Sequence, residues 1–328
     1  MMKKYFLSCF LFLTFLFTQA HPGVGIVKDS KGNIYYTDLK HVWKLNPGGK
    51  KEIMVKNVHT HELYMDANDN LYGEHLWYNG EQAKTWGHYL WCLKKAGELI
   101  KEIGPTEGFL DNYSFVRDSS GNMYWVERFT VTRFMKKSPD GKISKLAEGK
   151  FGFIGWIYAT AGGTIYFTES NKLQKLTPDG KFSMLTENLG SKTTDFSVMG
   201  HNYTSYGIWT DAADNIYVTM IDAKKVNRIS PDGKVQTIVQ SNSLWTACSG
   251  LFDNEGNMWL LENSMTNEVR ARKISKEELA GNSDPVKQST RGTHLLITLL
   301  TGVAVVISFF LLNRVLNKRR SKLKLDLA

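Results

Sequence analysis

The chain has 328 residues, of which 42% are hydrophobic, and its 41 Lys and Arg residues against 32 Asp and Glu residues give a net charge of +9. Two of the lysines lie in residues 1–20 and six of the basic residues in 313–328, so the rest of the chain is close to neutral and does not indicate a nucleic-acid-binding surface. Outside residues 1–20 the cysteines are Cys92 and Cys248. We expect both to be free, partly buried thiols, so disulfides do not hold the fold together.

Residues 1–20 have the order of features of a secretory signal. Lys3 and Lys4 precede an apolar run over residues 5–17, and residues 18–20 form a small-residue cleavage site. We therefore expect the mature chain to begin at His21.

One motif, Asp-x-x-Gly-Asn-apolar-aromatic, recurs between residues 21 and 275 with changes at one or two positions, and the copy at residues 160–166 is the weakest. A period of about 40–50 residues with strand-turn-strand content is typical of β-propeller blades. The Asp/Asn/Gly cluster of each copy supplies the backbone conformations of a tight hairpin turn. The six copies begin at Asp29, Asp66, Asp118, Thr160, Asp211 and Asp253.

A second turn, most often Pro-Asp-Gly, follows in five of the six units and predicts a second hairpin in each. The two hairpins together make a four-stranded blade, so we predict an all-β, six-bladed propeller over residues 21–275. The sixth unit has no glycine turn after Ile274, which leaves the closure of the ring open. The second turns span residues 46–50, 95–98, 138–142, 177–181 and 230–234.

The C-terminal part of the chain predicts a membrane anchor. Residues 276–293 are polar and indicate a stalk, and residues 294–312 run without a charge for long enough to span a bilayer as one helix. The basic residues of 313–328 then predict a cytoplasmic tail. This topology makes the chain a single-pass membrane protein with its propeller in the periplasm or the extracellular space.

The second repeat carries a cluster of histidines. His59 and His61 share one face of a predicted strand, and a register that pairs Asp66 with Asn70 places His75 opposite His61. Three imidazoles so placed predict a Zn²⁺ or Cu²⁺ site. A register shift of one residue would turn His75 to the other face, and histidines that only pack in the strand are the alternative.

Further candidate site residues surround this cluster. Glu62 or Glu74 could serve as the catalytic base of such a metal site. Trp77, Trp86 and Tyr89 could form an aromatic platform for a carbohydrate or another ligand. The residues three positions after each repeat's aromatic anchor form a ring that could bind a cation such as Ca²⁺, or whose acids accept hydrogen bonds at the strand ends. These are Asp38, His75, Glu127, Glu169, Met220 and Glu262.

Residues 22–38 and 206–217 resemble NHL repeats and the related gluconolactonase-like six-bladed propellers, and residues 165–180 are similar to a streptogramin-lyase repeat. Gluconolactonase-like enzymes hold a divalent metal in the central tunnel with a Glu, an Asn and an Asp. Here the matching positions carry no Glu in residues 22–24, Tyr206 in place of the Asn and Ser249 in place of the Asp. The resemblance also implies that Asn112 approximates a further tunnel ligand.

Two functions remain open from the sequence. The first is a membrane-anchored binding or scaffold domain that presents its loop-rich face to a protein, peptide or glycan. The alternative is a metal-dependent hydrolase or lyase of the lactonase-like propeller type, with His59, His61 and His75 as ligands of the metal.

Overall fold

A computed structural model describes residues 23–83, 86–102, 115–128, 130–191, 205–241, 244–264 and 266–282. The predicted signal (1–20), membrane span (294–312) and basic tail (313–328) lie outside these residues. The described strands form six antiparallel sheets, each built from strands that follow one another in the chain. The structure thus confirms the six-bladed propeller.

The first three blades contain four strands each. Blade one is β1 (Ile26–Lys28), β2 (Ile34–Thr37), β3 (His41–Leu45) and β4 (Lys51–Lys56). Blade two is β5 (Leu63–Met65), β6 (Leu71–Tyr78), β7 (Trp86–Leu93) and β8 (Leu99–Glu102). Blade three is β9 (Val116–Arg117), β10 (Met123–Arg128), β11 (Thr132–Lys137) and β12 (Ile143–Gly149).

Blades four and five also have four strands, whereas the described part of blade six has three. Blade four is β13 (Ile154–Ala159), β14 (Ile165–Glu169), β15 (Lys172–Leu176) and β16 (Phe182–Thr186). Blade five is β17 (Ser205–Thr210), β18 (Ile216–Met220), β19 (Lys225–Ile229) and β20 (Val235–Gln240). Blade six is β21 (Trp245–Phe252), β22 (Met258–Ser264) and β23 (Val269–Ile274).

The repeated aspartate closes the turn between the first and second strand of a blade. In blade three, Asp118 accepts hydrogen bonds from the backbone N–H groups of Ser120 and Asn122, from the Asn122 side chain and from the Tyr124 hydroxyl, at 2.8–2.9 Å. The same contacts recur around Asp29, Asp66, Asp211 and Asp253, with a tryptophan indole replacing the tyrosine in the last case. The motif is therefore a structural device of the blade.

The second turn joins the third and fourth strands, as predicted. In blade three the Ser138 N–H bonds the Lys142 carbonyl at 3.0 Å, and the Gly141 N–H bonds the Ser138 carbonyl at 2.9 Å. Gly141 has a φ of +90°, a conformation that glycine adopts without a steric penalty. Blade six lacks this turn, and after Ile274 the chain instead enters a helix.

The ring closes by packing the first blade against the last. Ile26, Ile34 and Tyr36 of blade one share a buried apolar cluster with Leu261 of blade six. The Lys28 ammonium also donates to the Phe252 carbonyl at 2.8 Å and to the Asn254 side chain at 2.7 Å. Similar apolar clusters lie between blades one and two, two and three, three and four, and four and five.

The segment after the sixth blade begins with a short helix. Helix α1 (Lys276–Asn282) falls within the predicted polar stalk, and it carries Glu277 and Glu278 in its first turn, where acidic side chains interact favourably with the helix dipole. Among the described residues, no helix combines the length and the apolar character that a membrane span requires.

Candidate active site in the central cavity

The first strands of the blades surround a cavity of about 540 Å³ on the axis of the propeller. Consecutive first strands pack side by side around it, including β1 with β5, β13 with β17 and β17 with β21. Its volume lies within the range of about 300–1,000 Å³ that is usual for small-molecule sites. Aromatic side chains line much of its wall: Tyr64, Tyr72, Phe115, Trp156, Tyr158 and Trp209.

Glu62 places a carboxyl group at the wall of this cavity. It directly precedes β5, and its side chain forms a hydrogen bond with the side chain of Trp156 in the fourth blade. Burial raises the pKa of Glu62 well above its usual range, and the negative charge of the neighbouring Glu74 raises it further. A carboxyl group so placed is suited to holding a proton close to a bound molecule.

Glu74, on β6, is the second carboxyl group of the cavity wall and is only 1% exposed. Its Oε1 accepts the backbone N–H groups of His61 at 2.5 Å and Glu62 at 3.3 Å. Its Oε2 is buried and has no hydrogen-bond partner in the part of the chain that the structure describes. Glu74 thus has a fixed position, and its second oxygen is buried without a hydrogen bond from the described residues.

The imidazoles of His59 and His61 meet beside this acid pair. Their Nε2 atoms are 3.3 Å apart, and the two rings stand edge to face at 64°. The Nδ1 atom of His61 lies 3.6 Å from Oε1 of Glu74. Burial and the nearby His61 lower the pKa of His59 to about 4, which keeps its ring neutral at neutral pH. Burial also lowers the pKa of His88, which lies close to Glu74.

His75 lies apart from the other two predicted metal ligands. Its ring stacks on Trp77 with a centroid distance of 5.4 Å and tilts against Tyr89 at 5.0 Å, and its Nδ1 accepts the backbone N–H of His59 at 2.8 Å. The predicted register holds between Leu63 and Gly73. The structure therefore brings His59 and His61 together but turns the ring of His75 toward an aromatic group.

His75 misses its predicted position because the strand pairing shifts by one residue beyond β5. The Leu76 N–H bonds the His59 carbonyl at 3.1 Å, and the Thr60 hydroxyl bonds the Glu74 carbonyl at 2.5 Å. Because side chains alternate along a strand, this slip removes His75 from its expected place opposite His61. No group of three or more His, Cys, Asp and Glu side chains is arranged to hold a metal in the described ranges.

The predicted aromatic platform is present in part. Trp77 is 41% exposed, its ring lies against Gly87, and its indole N–H donates to the Asn79 side chain at 2.9 Å. Tyr89 lies 5.9 Å from Trp77 between ring centroids, and the Lys101 ammonium sits 5.1 Å from the Tyr89 ring. Trp86 begins strand β7, and its side chain lies outside what the structure describes.

Tyr206 and Asn112 are the candidates that the family resemblance supplied. Tyr206, on β17, is buried, and its ring stacks on Trp156 with a centroid distance of 6.0 Å. Tyr206 thus supports the wall of the cavity through Trp156. Asn112 lies outside the described residues. Trp156 itself was not among the predicted site residues, and its only signal in the sequence is its place at the start of the fourth blade.

Several acids of the predicted ring accept hydrogen bonds at strand ends. Asp38 accepts from the backbone of His41 at 2.6 Å and from the Trp43 indole at 2.7 Å. Glu262 binds the guanidinium groups of Arg270 and Arg272 at 2.8 and 2.9 Å. Cys92 and Cys248 are both buried free thiols, as predicted.

Comparison with solved structures supports the same fold. A gluconolactonase from Xanthomonas campestris is similar with a TM-score of 0.55 at 12% identity, over 76% of this chain and 85% of that one. The calcium-binding protein regucalcin from Agrobacterium tumefaciens is similar with a TM-score of 0.52 at 17% identity, over 81% and 88%. Virginiamycin B lyase from Staphylococcus aureus gives a TM-score of 0.45 at 14% identity, over 80% and 87%.

The chain is thus similar in fold to gluconolactonase-like propellers, as its repeats predicted. No protein-family model matches the chain, and no curated protein matches it. At these identities the likeness shows the fold alone.

The described donors do not fit the divalent metal centre of the gluconolactonase-like enzymes. At the matching positions Val24 and Ser249 line the cavity, and Tyr206 packs on Trp156. The carboxyl groups of the cavity wall come from Glu62 and Glu74 of blade two, and from Asp211 and Asp253, which accept hydrogen bonds within their own turns.

Proposed function

We propose that this propeller is a hydrolase or lyase that acts on a small organic molecule in its central cavity, with Glu62 and Glu74 as a proton-transfer pair. The observation that carries the proposal is the presence of two adjacent carboxyl groups in the wall of a cavity that is otherwise rich in aromatic side chains. Proton transfer by positioned carboxyl groups typically contributes about 10²–10⁴-fold to a rate.

The surroundings of the two groups suggest different roles. Glu74 is held by two backbone N–H groups through Oε1, and we assign the role of proton acceptor to Oε2, which bonds no other group in the described residues. Glu62 bonds the Trp156 side chain and lies where burial favours its protonated form, so it is the proton donor. A carboxyl group whose burial raises its pKa is a recurrent general acid in enzymes.

We further propose that this activity is displayed outside the cytoplasm. The support is the sequence alone: a signal-like segment at residues 1–20, an uncharged run at 294–312 and the basic residues that follow it. A membrane-bound enzyme of this topology would act on molecules in the periplasm or the extracellular space.

The test is a turnover screen of the purified full-length chain against a panel of lactones and aryl esters. We expect hydrolysis or elimination of at least one panel member by the wild type and a loss of about 10²-fold or more in Glu62→Gln. Glu148→Gln, which alters an acid on the outer strand β12, is the matched control and should keep the wild-type rate. Turnover that survives Glu62→Gln unchanged would contradict the assigned role.

A binding function is the second candidate, and the exposed tip of blade two favours it. Trp77 and Tyr78 are 41% and 40% exposed at the end of β6. Exposed aromatic side chains of this kind are enriched where proteins bind ligands or partners. If no panel member is turned over, while a ligand is bound with an affinity that Trp77→Ala lowers, binding replaces catalysis as the function.

A further inference from the structure

We propose that Trp156 positions the carboxyl group of Glu62, so that the proton of this acid points into the central cavity. The acid role of Glu62 comes from the proposed function, on which this inference rests. Trp156 belongs to blade four and Glu62 to blade two, so the positioning joins two blades across the cavity. The support lies in a bulge of strand β13, in the packing of the indole ring and in the hydrogen bond between the two side chains.

Glu62 and Trp156 are the long side chains at one level of the cavity wall. Each lies four positions before the first turn residue of its repeat, and repeated blades place such positions at similar heights along the axis. The equivalent described residues of the other blades are small: Gly25, Gly207 and Ser249. A Cβ on Gly207 would lie 2.6 Å from the Cα of Ser249. Within the described ranges, the two long side chains therefore meet at a level where inner strands approach each other closely.

A β-bulge in blade four directs Trp156 toward the cavity. Gly155 and Trp156 of β13 both lie opposite the single residue Thr168 of β14, between regular pairs on either side. The Thr168 hydroxyl accepts the backbone N–H of Trp156 at 3.0 Å. A Cβ on Gly155 would lie 2.9 Å from the same hydroxyl oxygen, so glycine permits this close approach. Bulges beside functional sites commonly redirect a side chain, and this one places the indole at the cavity wall.

The indole ring is also held by a neighbouring blade. The buried Tyr206 of blade five stacks on it at 25°, with 6.0 Å between the ring centroids. The backbone of Trp156 is thus fixed by Thr168 and its ring by Tyr206. A side chain fixed in this way holds its partner in one geometry, which positioned catalytic groups require.

The hydrogen bond between the two side chains determines where Glu62 carries its proton. The indole N–H is the single polar group of a tryptophan side chain and can only donate, so Glu62 accepts it. The backbone N–H of Leu63 donates to the same carboxyl group. A protonated carboxyl group keeps one O–H for donation. With Trp156 and Leu63 as its donors, Glu62 turns that O–H toward a bound molecule.

These two donors also oppose the effect of burial. Burial and the charge of Glu74 raise the pKa of Glu62, whereas the bonds from Trp156 and Leu63 lower it. Trp156 therefore helps the acid to release its proton as well as to hold it in place. If Trp156 only filled the cavity wall, its replacement by phenylalanine would change the stability of the fold but not the state of the Glu62 carboxyl group.

The test is infrared spectroscopy of the full-length chain at about pH 5.5, where ordinary carboxyl groups are mostly ionised and Glu62 keeps its proton. The C=O band of protonated Glu62 is identified by its loss in Glu62→Gln. We expect Trp156→Phe to move this band to higher frequency, because the C=O group loses a hydrogen-bond donor. On a substrate from the turnover screen, kcat of Trp156→Phe should fall by about tenfold or more, with KM within about twofold of the wild type.

Trp259→Phe is the matched control. It also removes an indole N–H bond to a carboxylate, that of Asp253 at 3.1 Å, and Trp259 lies outside the cavity wall. It should leave the Glu62 band and kcat unchanged. Thr168→Val is a second variant that keeps the indole but removes the acceptor of the bulge, and it should move the band in the same direction by a smaller amount.

A Glu62 band that stays in place in both Trp156→Phe and Thr168→Val, or a wild type that shows no such band, would overturn the proposal. A shifted band without turnover of any panel member would support the positioning of Glu62 and contradict the proposed function. Turnover that depends on Glu62 but keeps its wild-type kcat in Trp156→Phe would contradict the positioning role alone.

Discussion

The aspartate that begins five of the six repeats should contribute strongly to the free energy of unfolding. Asp118 is 3% exposed and accepts four hydrogen bonds, from two backbone N–H groups, the Asn122 amide and the Tyr124 hydroxyl. Asp118→Ala removes all four at once and leaves the buried Tyr124 hydroxyl without its acceptor. The equivalent position of blade four is Thr160, whose hydroxyl accepts one backbone N–H, from Thr164 at 3.2 Å.

The expected cost follows from the number of bonds lost. At about 0.5–1.5 kcal/mol for each hydrogen bond, Asp118→Ala should lower the free energy of unfolding by about 4 kcal/mol, and Thr160→Ala by about 1 kcal/mol. For a domain of this size, each kcal/mol lowers Tm by about 2–4 °C. The two variants should therefore lose about 8–16 °C and about 2–4 °C.

Thermal unfolding of the full-length chain, followed by tryptophan fluorescence, measures both shifts. Asp118→Asn should fall between the two variants, because it keeps one oxygen acceptor and loses the charge. Equal shifts for Asp118→Ala and Thr160→Ala would refute the reasoning, since the aspartate contacts would then contribute no more than a single hydroxyl.

Three further predictions concern single positions. Because the pKa of Glu62 is raised in the folded chain, the folded state holds a proton at pH values where the unfolded state has lost it. The contribution of Glu62 to the free energy of unfolding is therefore fully present below about pH 4.3. It is lost as the pH rises through the pKa of the folded state. Tm measured from pH 4 to 8 should thus fall more in the wild type than in Glu62→Gln, and parallel curves would contradict this. Burial raises the pKa of the Cys248 thiol to about 12. Ellman's reagent should therefore leave Cys248 unmodified in the native chain and modify it after denaturation. Mass spectrometry can verify both outcomes. Gly207→Ala should lower Tm, because a Cβ there would lie 2.6 Å from the Cα of Ser249; an unchanged Tm would show that the two inner strands can separate.

Much of the fold could be predicted because the blade signals are local. An aspartate, a positive-φ turn residue and an aromatic residue six positions later all act within one hairpin, so the sequence alone predicted these turns in blades one, two, three and five. The missing Pro-Asp-Gly turn correctly marked the sixth unit as different, and its described part has three strands. The acidic pair Glu277 and Glu278 after Ser275 was also a helix-start signal, which the stalk interpretation overlooked.

The candidate site was harder to predict because its geometry depends on contacts between strands and between blades. The register around Asp66 was right, but the Thr60 and Glu74 contacts shift the pairing before it reaches His75. The pairing of Glu62 with Trp156 joins blade two to blade four across the cavity, which no spacing in the sequence encodes. The functional residues of blade two could thus be predicted from the sequence, but their mutual contacts could not.

The central claim is that the cavity carboxylates perform proton transfer, and kcat of Glu74→Gln on a substrate from the turnover screen tests it most directly. Glu74→Gln keeps an oxygen to accept the His61 and Glu62 N–H groups while it removes the basic carboxylate. We predict that kcat falls by about 10²-fold or more, with KM and Tm close to those of Glu148→Gln. A wild-type kcat in a folded Glu74→Gln enzyme would contradict the account.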